Sequence, residues 1–202
     1  METQISQKDK EQIEAGIRSK YVKVAENPEG LFKYPTGRAG LEALDYDPGL
    51  IRALPEAVID SYCGAGNPFS LGPINEGVGV LDIGCGAGVD TILAAMMTGP
   101  SGKAVGVDIV PEMLHRAEEN LKMTDLKNVI FKKASGEKLP SQDNSFDVVI
   151  SNSVINLIPD KVGTLKEAMR VLKPGGRLMI VDQIVVGHLQ KDFKARLASW
   201  FQ

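Results

Sequence analysis

The sequence predicts an α/β fold, a doubly wound and mostly parallel sheet preceded by a helical cap. Three observations carry this expectation. From residue 78 onward, short apolar strands alternate with helical segments. The first of these strands, VGVL with Ile83 after it, passes Asp82 and turns through Gly84, Gly86 and Gly88 into the helical run VDTILAAMM. A second apolar strand, KAVGV, ends in Asp108, roughly 20 residues past the glycines, as in a nucleotide-binding βαβ unit. Near-continuous apolar runs, rather than alternation, mark strands covered on both faces. Repeated β-α-β order implies right-handed crossovers in one parallel sheet.

Taken in order, residues 4–26 read as a helix carrying Ile13, Ile17, Val22 and Val24, broken by Asn27-Pro28-Glu29-Gly30. The segment LFKYPTGRAG at 31–40 interleaves aromatics and an arginine with proline and glycine. It is either a packed connector or a lid over a site. Residues 48–62 predict one further helix, and CGAGNPFSLGPINEG marks entry to the main domain. After Asp108, Pro111 suits the first turn of a helix to about Met123, whose apolar face leaves His115 toward solvent. Strands follow at 128–131 and 146–150, separated by a polar loop. Asp160 caps a helix reaching Leu172, Lys173-Pro174-Gly175-Gly176 stops it, and residues 177–181 form a fifth strand tipped by Asp182. The expected division is a helical cap or lid at 1–70, an α/β core at 71–187, and the start of a C-terminal helix at 188–202 that reads as truncated.

Length and composition bound the function. A chain of 202 residues with 43% hydrophobic content suits one domain with a small appended element. A net charge of −3 and the lack of a basic cluster argue against nucleic acid as partner. The polar N-terminus carries no export signal, and no apolar run approaches a membrane span. The two cysteines form neither a disulfide framework nor a metal spacing, so no metal is expected and the reducing cytoplasm is the expected compartment.

The glycine spacing narrows the ligand. A dinucleotide enzyme wants G-x-G-x-x-G with a pyrophosphate at the helix N-terminus, whereas this chain has G-x-G-x-G with an acid two residues before it. Two flanking acids repel a pyrophosphate but suit a cationic ligand bearing an adenosine. S-adenosylmethionine (SAM) has a ribose, a sulfonium, an ammonium and no phosphate. A nicotinamide dehydrogenase is disfavoured on the same spacing.

With VLDIGCGAG, GVDI, LPSQDNSFDVVISN and EAMRVLKPGGRL assembled, the chain resembles the class I SAM-dependent methyltransferases over residues 78–182. SNSVINLIPDK and SYCGAGNP are similar to the patterns of the arsenite methyltransferase group within it. The resemblance implies the Rossmann-like SAM methyltransferase fold, SAM as cofactor with S-adenosylhomocysteine as product, and a small-molecule acceptor. It implies that Gly84, Gly86 and Gly88, with Cys85 between them in the cofactor-binding turn, line the methionine part of SAM, with Asp82 steering the ammonium; the small Cys85 side chain itself reads as packing rather than chemistry. Asp108 would hold the ribose hydroxyls, and Ile109 or Met113 would pack on adenine. The family's acid after strand three is replaced by Ser135, followed by Gly136 and Glu137; the Gly136 amide can still meet the ring. Asn152 would lie near the transferable methyl. Tyr21, Tyr34 and Arg38 are expected either as lid contacts or as packing of the first helix on the core.

The departures bear on the acceptor. Where arsenite methyltransferases carry arsenic-binding cysteines, this chain has Ser153 and Ala65, and it stops soon after Trp200, where a further cysteine is expected. Soft As(III) wants thiolates, so arsenite methylation is not expected. Asn152, Ser153 and His188 remain the candidate catalytic residues. With no carboxylate–histidine pair visible as a base, a carbon, sulfur or already nucleophilic acceptor is favoured. The family's final antiparallel hairpin has no sequence left to form it, which leaves either a truncated chain or a sheet edge covered by a partner such as a second copy. The competing reading is a SAM-binding interaction module with little or no catalysis.

Overall fold

The computed structural model describes residues 5–184 and 186. His188 and the expected C-terminal helix lie outside them. Five parallel strands form the sheet: β1 (Gly79–Ile83), β2 (Lys103–Asp108), β3 (Val129–Lys133), β4 (Phe146–Asn152) and β5 (Leu172–Val181). Their spatial order is β3-β2-β1-β4-β5. The order reverses at β1, whose neighbours are β2 on one side and β4 on the other. In such sheets the crevice beyond the carboxyl ends at the reversal is where ligands bind.

Between the strands run α5 (Val89–Thr98), α6 (Pro111–Lys122) and α7 (Lys161–Val171). α5 is mostly apolar and buried on nearly every side because it is covered from two directions, with Asp90, Thr91 and Thr98 as its buried polar residues. Ile92 and Leu93 join a cluster with Leu41, Tyr46, Ile51, Val58, Ile59 and Tyr62 from the N-terminal region. Ala94 and Ala95 pack instead on Val80, Ala104, Val148 and Met179 of the sheet. α6 keeps the predicted face: Met113, Leu114 and Ala117 are buried, while His115 is exposed beside Glu119.

The N-terminal region holds α1 (Gln7–Glu26), α2 (Gly37–Ala43), α3 (Pro48–Ala53) and α4 (Glu56–Asp60). α1 starts with a capping box, in which Ser6 and Asp9 satisfy each other's backbone amides. The single helix expected over 48–62 is two helices. Pro55 has no N–H to continue the first and holds Leu54 extended, at ψ 142°. The 31–40 connector is partly helical, since α2 begins at Gly37, whose φ of 60° and hydrogen bond from its N–H to the Tyr62 carbonyl fix its path.

Three strands differ from the sequence expectation; β3, expected at 128–131, runs on to Lys133. β4 continues through Ser151 and Asn152, which pair with Ile180 and Val181. β5 begins at Leu172, with the KPGG stretch absorbed as an irregularity at which the β4–β5 register shifts. Among the described residues no helix is long and apolar enough to cross a membrane.

Candidate functional site

Beyond the carboxyl ends of β1, β2 and β4 lies a cleft with about 1120 Å³ of empty space, its open mouth included. The bend after β1 forms its floor. Gly84 and Gly86 take φ of 75° and 52°, the left-handed region that a side chain resists. Both Gly84 and Cys85 donate their amides to the Val107 carbonyl, so the bend is tied to β2. The Gly86 amide donates to Asp108 Oδ2 at 2.9 Å and the Val110 amide to Asp108 Oδ1 at 2.8 Å. Backbone alone therefore orients this carboxylate. Burial raises the Asp108 pKa, and these backbone hydrogen bonds oppose the rise.

The opposite side of β1 is assembled from side chains. Asp90, second residue of α5, accepts from the Tyr46 hydroxyl at 2.8 Å and from Asn152 Nδ2 at 2.9 Å. Asn152 Nδ2 also donates to the Gly66 carbonyl at 2.7 Å, while its Oδ1 accepts from the Ala65 and Gly66 amides. The backbone of 65–66 thus fixes which way the Asn152 amide points. Tyr62 donates to the Gly66 carbonyl at 2.9 Å, beside Tyr46. Ser153 sits at φ 60°, a strained position for a side chain, with its Oγ accepting from Ala65 N at 3.2 Å. Positions 65 and 153, far apart in the chain, meet here.

Asp82, Gly84, Cys85, Gly86, Asp108, Ile109, Ser135, Gly136, Glu137, Asn152, Ser153 and Tyr21 all line the cleft. Ile109 is 41% exposed, and Asp82, 2% exposed, accepts from Thr91 Oγ1 at 2.6 Å. Burial, then Asp90, raises the Asp82 pKa well above the carboxylate range. Four expected residues take other places. Gly88 lies against Phe131 and Ala117, where any side chain would clash, and serves packing. Met113 is 1% exposed in a cluster with Val24, Ala87 and Val110, beneath the bend rather than in the cleft. Tyr34 donates to the Cys63 carbonyl and contacts Phe32, one layer behind the lining. Arg38 pairs with Glu56 and Glu42 on the surface, away from the cleft.

Sequence reasoning missed Asp90, Tyr46 and Tyr62. Asp90 did carry a signal, an acid in the first turn directly after the glycines. Tyr46, 44 residues upstream, carried none, and Tyr62 stood inside the SYCGAGNP stretch without a role assigned to it. Cys63 also lines the cleft; burial, then Asp108, pushes its thiol up to about 12, so it stays protonated at neutral pH.

The lining chemistry tests the cofactor. Five carboxylates face the cleft, those of Glu14, Asp82, Asp90, Asp108 and Glu137, and among the described residues no Lys, Arg or His does. That set is wrong for a pyrophosphate and right for a cation carrying a ribose and a flat base, so the residues present fit SAM. Among the described residues no cluster of three or more His, Cys, Asp or Glu is placed to hold a metal.

Residues 74–202 match the family described as methyltransferase domain. The chain belongs to that family, as a class I SAM-dependent methyltransferase fold. It stands close to the arsenite methyltransferase group. It is 36% identical to an arsenite methyltransferase of Halobacterium salinarum, over 95% of this chain and 52% of that protein. A second, of Aquipseudomonas alcaligenes, is 37% identical over 82% of this chain and 49% of its own length. The chain thus spans about half the length of these curated relatives. Among solved structures, an arsenic(III) S-adenosylmethionine methyltransferase of Chlamydomonas reinhardtii aligns with a TM-score of 0.56 at 35% identity, covering 74% of this chain and 50% of that one. A SAM-dependent methyltransferase of Aquifex aeolicus aligns at 0.54 with 27% identity, over 78% and 82%.

Proposed function

We propose that this chain transfers a methyl group from SAM to a small-molecule acceptor that is not arsenite. The observation that carries the reading is the carboxylate-lined cleft over the glycine bend, with no Lys, Arg or His in its lining among the described residues. SAM supplies a methyl carbon already activated by its sulfonium. The chain's part is to orient, to shield from water and to place the acceptor in line. Asp108, pre-aimed by two amides, has lone pairs left for the ribose hydroxyls. Ile109 and the Gly136 backbone flank the place for adenine, and Asp82 faces the ammonium, whose positive charge favours the ionised form of this buried carboxyl. Tyr21, with Glu14 and Ile17 of α1, closes the cleft from above.

Ala65 and Ser153 support an acceptor other than arsenite, because neither supplies a thiolate. Cys63 and Cys85 are both free, which supports a reducing compartment such as the cytoplasm. The outer edge of β5, unpaired among the described residues, is where a second copy would add. The test is a metabolite screen with methyl-labelled SAM and the full chain, arsenite included. A labelled product other than methylated arsenic is expected. SAM binding with no labelled product from any metabolite pool would favour a SAM-binding module instead.

A further inference from the structure

The sequence offers no base at the acceptor end, yet the structure places one there. Strand order sets Asp108 and the β3 loop on one side of β1 and Asn152 on the other. Asp90 therefore stands at the end of the cleft away from the ribose carboxylate, 7% exposed and lining the cavity. Its two oxygens each accept one hydrogen bond, from Tyr46 and from Asn152. Each oxygen keeps a lone pair for a further proton. The other acids are less suited. Asp82 is enclosed against Thr91, and Asp108 is held by backbone on the far side. Glu137 accepts from the Asp160 amide. No Lys, Arg or His lines the cleft among the described residues.

This inference rests on the methyltransferase reading: we propose that Asp90 is the general base that takes the proton of an acceptor methylated at an O–H or N–H group. The acceptor oxygen or nitrogen forms the bond to the methyl carbon, and the carbon–sulfur bond breaks with its electron pair left on the sulfide product. The acceptor proton passes to an Asp90 oxygen and from there to solvent once product has left. Tyr46 and Asn152 hold the carboxylate in line and are positioning residues.

The electrostatics agree. Burial raises the Asp90 pKa to about 6 against the pull of Asn152 and Tyr46, close to the pH at which it must work. The titratable groups facing it are Asp82 from β1, and Tyr46, Tyr62 and Cys63 from the N-terminal region. Burial raises all four, so the tyrosines and the thiol keep their protons while Asp90 gives and takes its own.

The experiment has two arms. Calorimetry with SAM and S-adenosylhomocysteine on wild type and Asp90→Asn reads cofactor affinity. Methyl-labelled SAM with a panel of phenols, amines and thiols across the neutral pH range reads transfer. Asp90→Asn is expected to keep SAM affinity within about threefold. Methylation of phenols or amines should fall by roughly 10²–10⁴-fold, with loss of the acid limb of the rate profile. Asp90→Ala should regain part of that rate on adding formate. A tenfold or greater loss of SAM affinity with an unchanged rate at saturating SAM would overturn the proposal, making Asp90 a contact of the ammonium. So would wild type that binds SAM but methylates no phenol or amine. Absence of SAM binding to wild type sinks the methyltransferase reading itself, a separate result.

Discussion

The two ends of the cleft are built in different ways. At the Asp108 end, every hydrogen bond that aims the carboxylate comes from backbone within one βαβ unit. At the Asp90 end, the carboxylate is aimed by Tyr46 and Asn152, which are 44 residues before it and 62 after it in the chain. The first is a property of a short motif and survives wherever that motif folds. The second exists only when the loops of the N-terminal region that carry Tyr46 and residues 65–66 are seated against Asp90 and Asn152. On the proposed roles of the two ends, cofactor binding and acceptor choice should be separable, one resting on local chain path and the other on tertiary assembly.

The sharpest way to break the local end is Gly84→Ala. An added Cβ would overlap Val154, and φ is already 75°. A loss of roughly 2–4 kcal/mol is expected from overpacking and backbone strain together. Urea denaturation measures it, and SAM affinity should fall with it. An unchanged midpoint would mean that the bend tolerates a side chain.

Tyr46→Phe acts on the assembled end. It removes a buried donor from Asp90, and about 1–2 kcal/mol of stability should go with it. SAM affinity should move by no more than about twofold, because the Asp108 end is untouched. Equal damage to both would erase the distinction between the ends.

A pair outside the cleft supplies the smallest effect and a control. The Arg170 hydrogen bond holds the Glu167 carboxyl at about 2, below its ordinary 4.5. A depressed folded-state pKa stabilises above the unfolded value and is lost as pH falls from about 4.5 toward 2. Glu167→Gln should therefore be less stable than wild type at neutral pH, with the gap closing over that acid window. The pair is partly exposed, so the gap should be small. Ligand binding should not respond at all.

The same contrast explains what the sequence reveals. The βαβ order, the bend, Asp108, the loop residues 135–137 and Asn152 are local patterns, and the structure brings them into one cleft. The split of 48–62 was written in Pro55, whose missing N–H outweighs the apolar periodicity running past it. Met113 has the right spacing to reach adenine but lies beneath the bend, because helix α6 turns that face onto Ala87 and Val110. Arg38 finds Glu56 and Glu42 nearer than the cleft. Tyr46 looks in sequence like an ordinary core aromatic, and the SYCGAGNP stretch does not by itself say that Tyr62 reaches Asp90's neighbourhood. Only their docking on Asp90 gives them a place in the site.

The central claim is that Asp108 and the glycine bend form a SAM site. Isothermal titration of SAM into wild type and Asp108→Ala tests it most directly. Binding to wild type is expected, weakened in the variant by about 1.5–3 kcal/mol as the charged hydrogen bonds to the ribose are lost. Equal affinity in both proteins, or no binding to either, would contradict it.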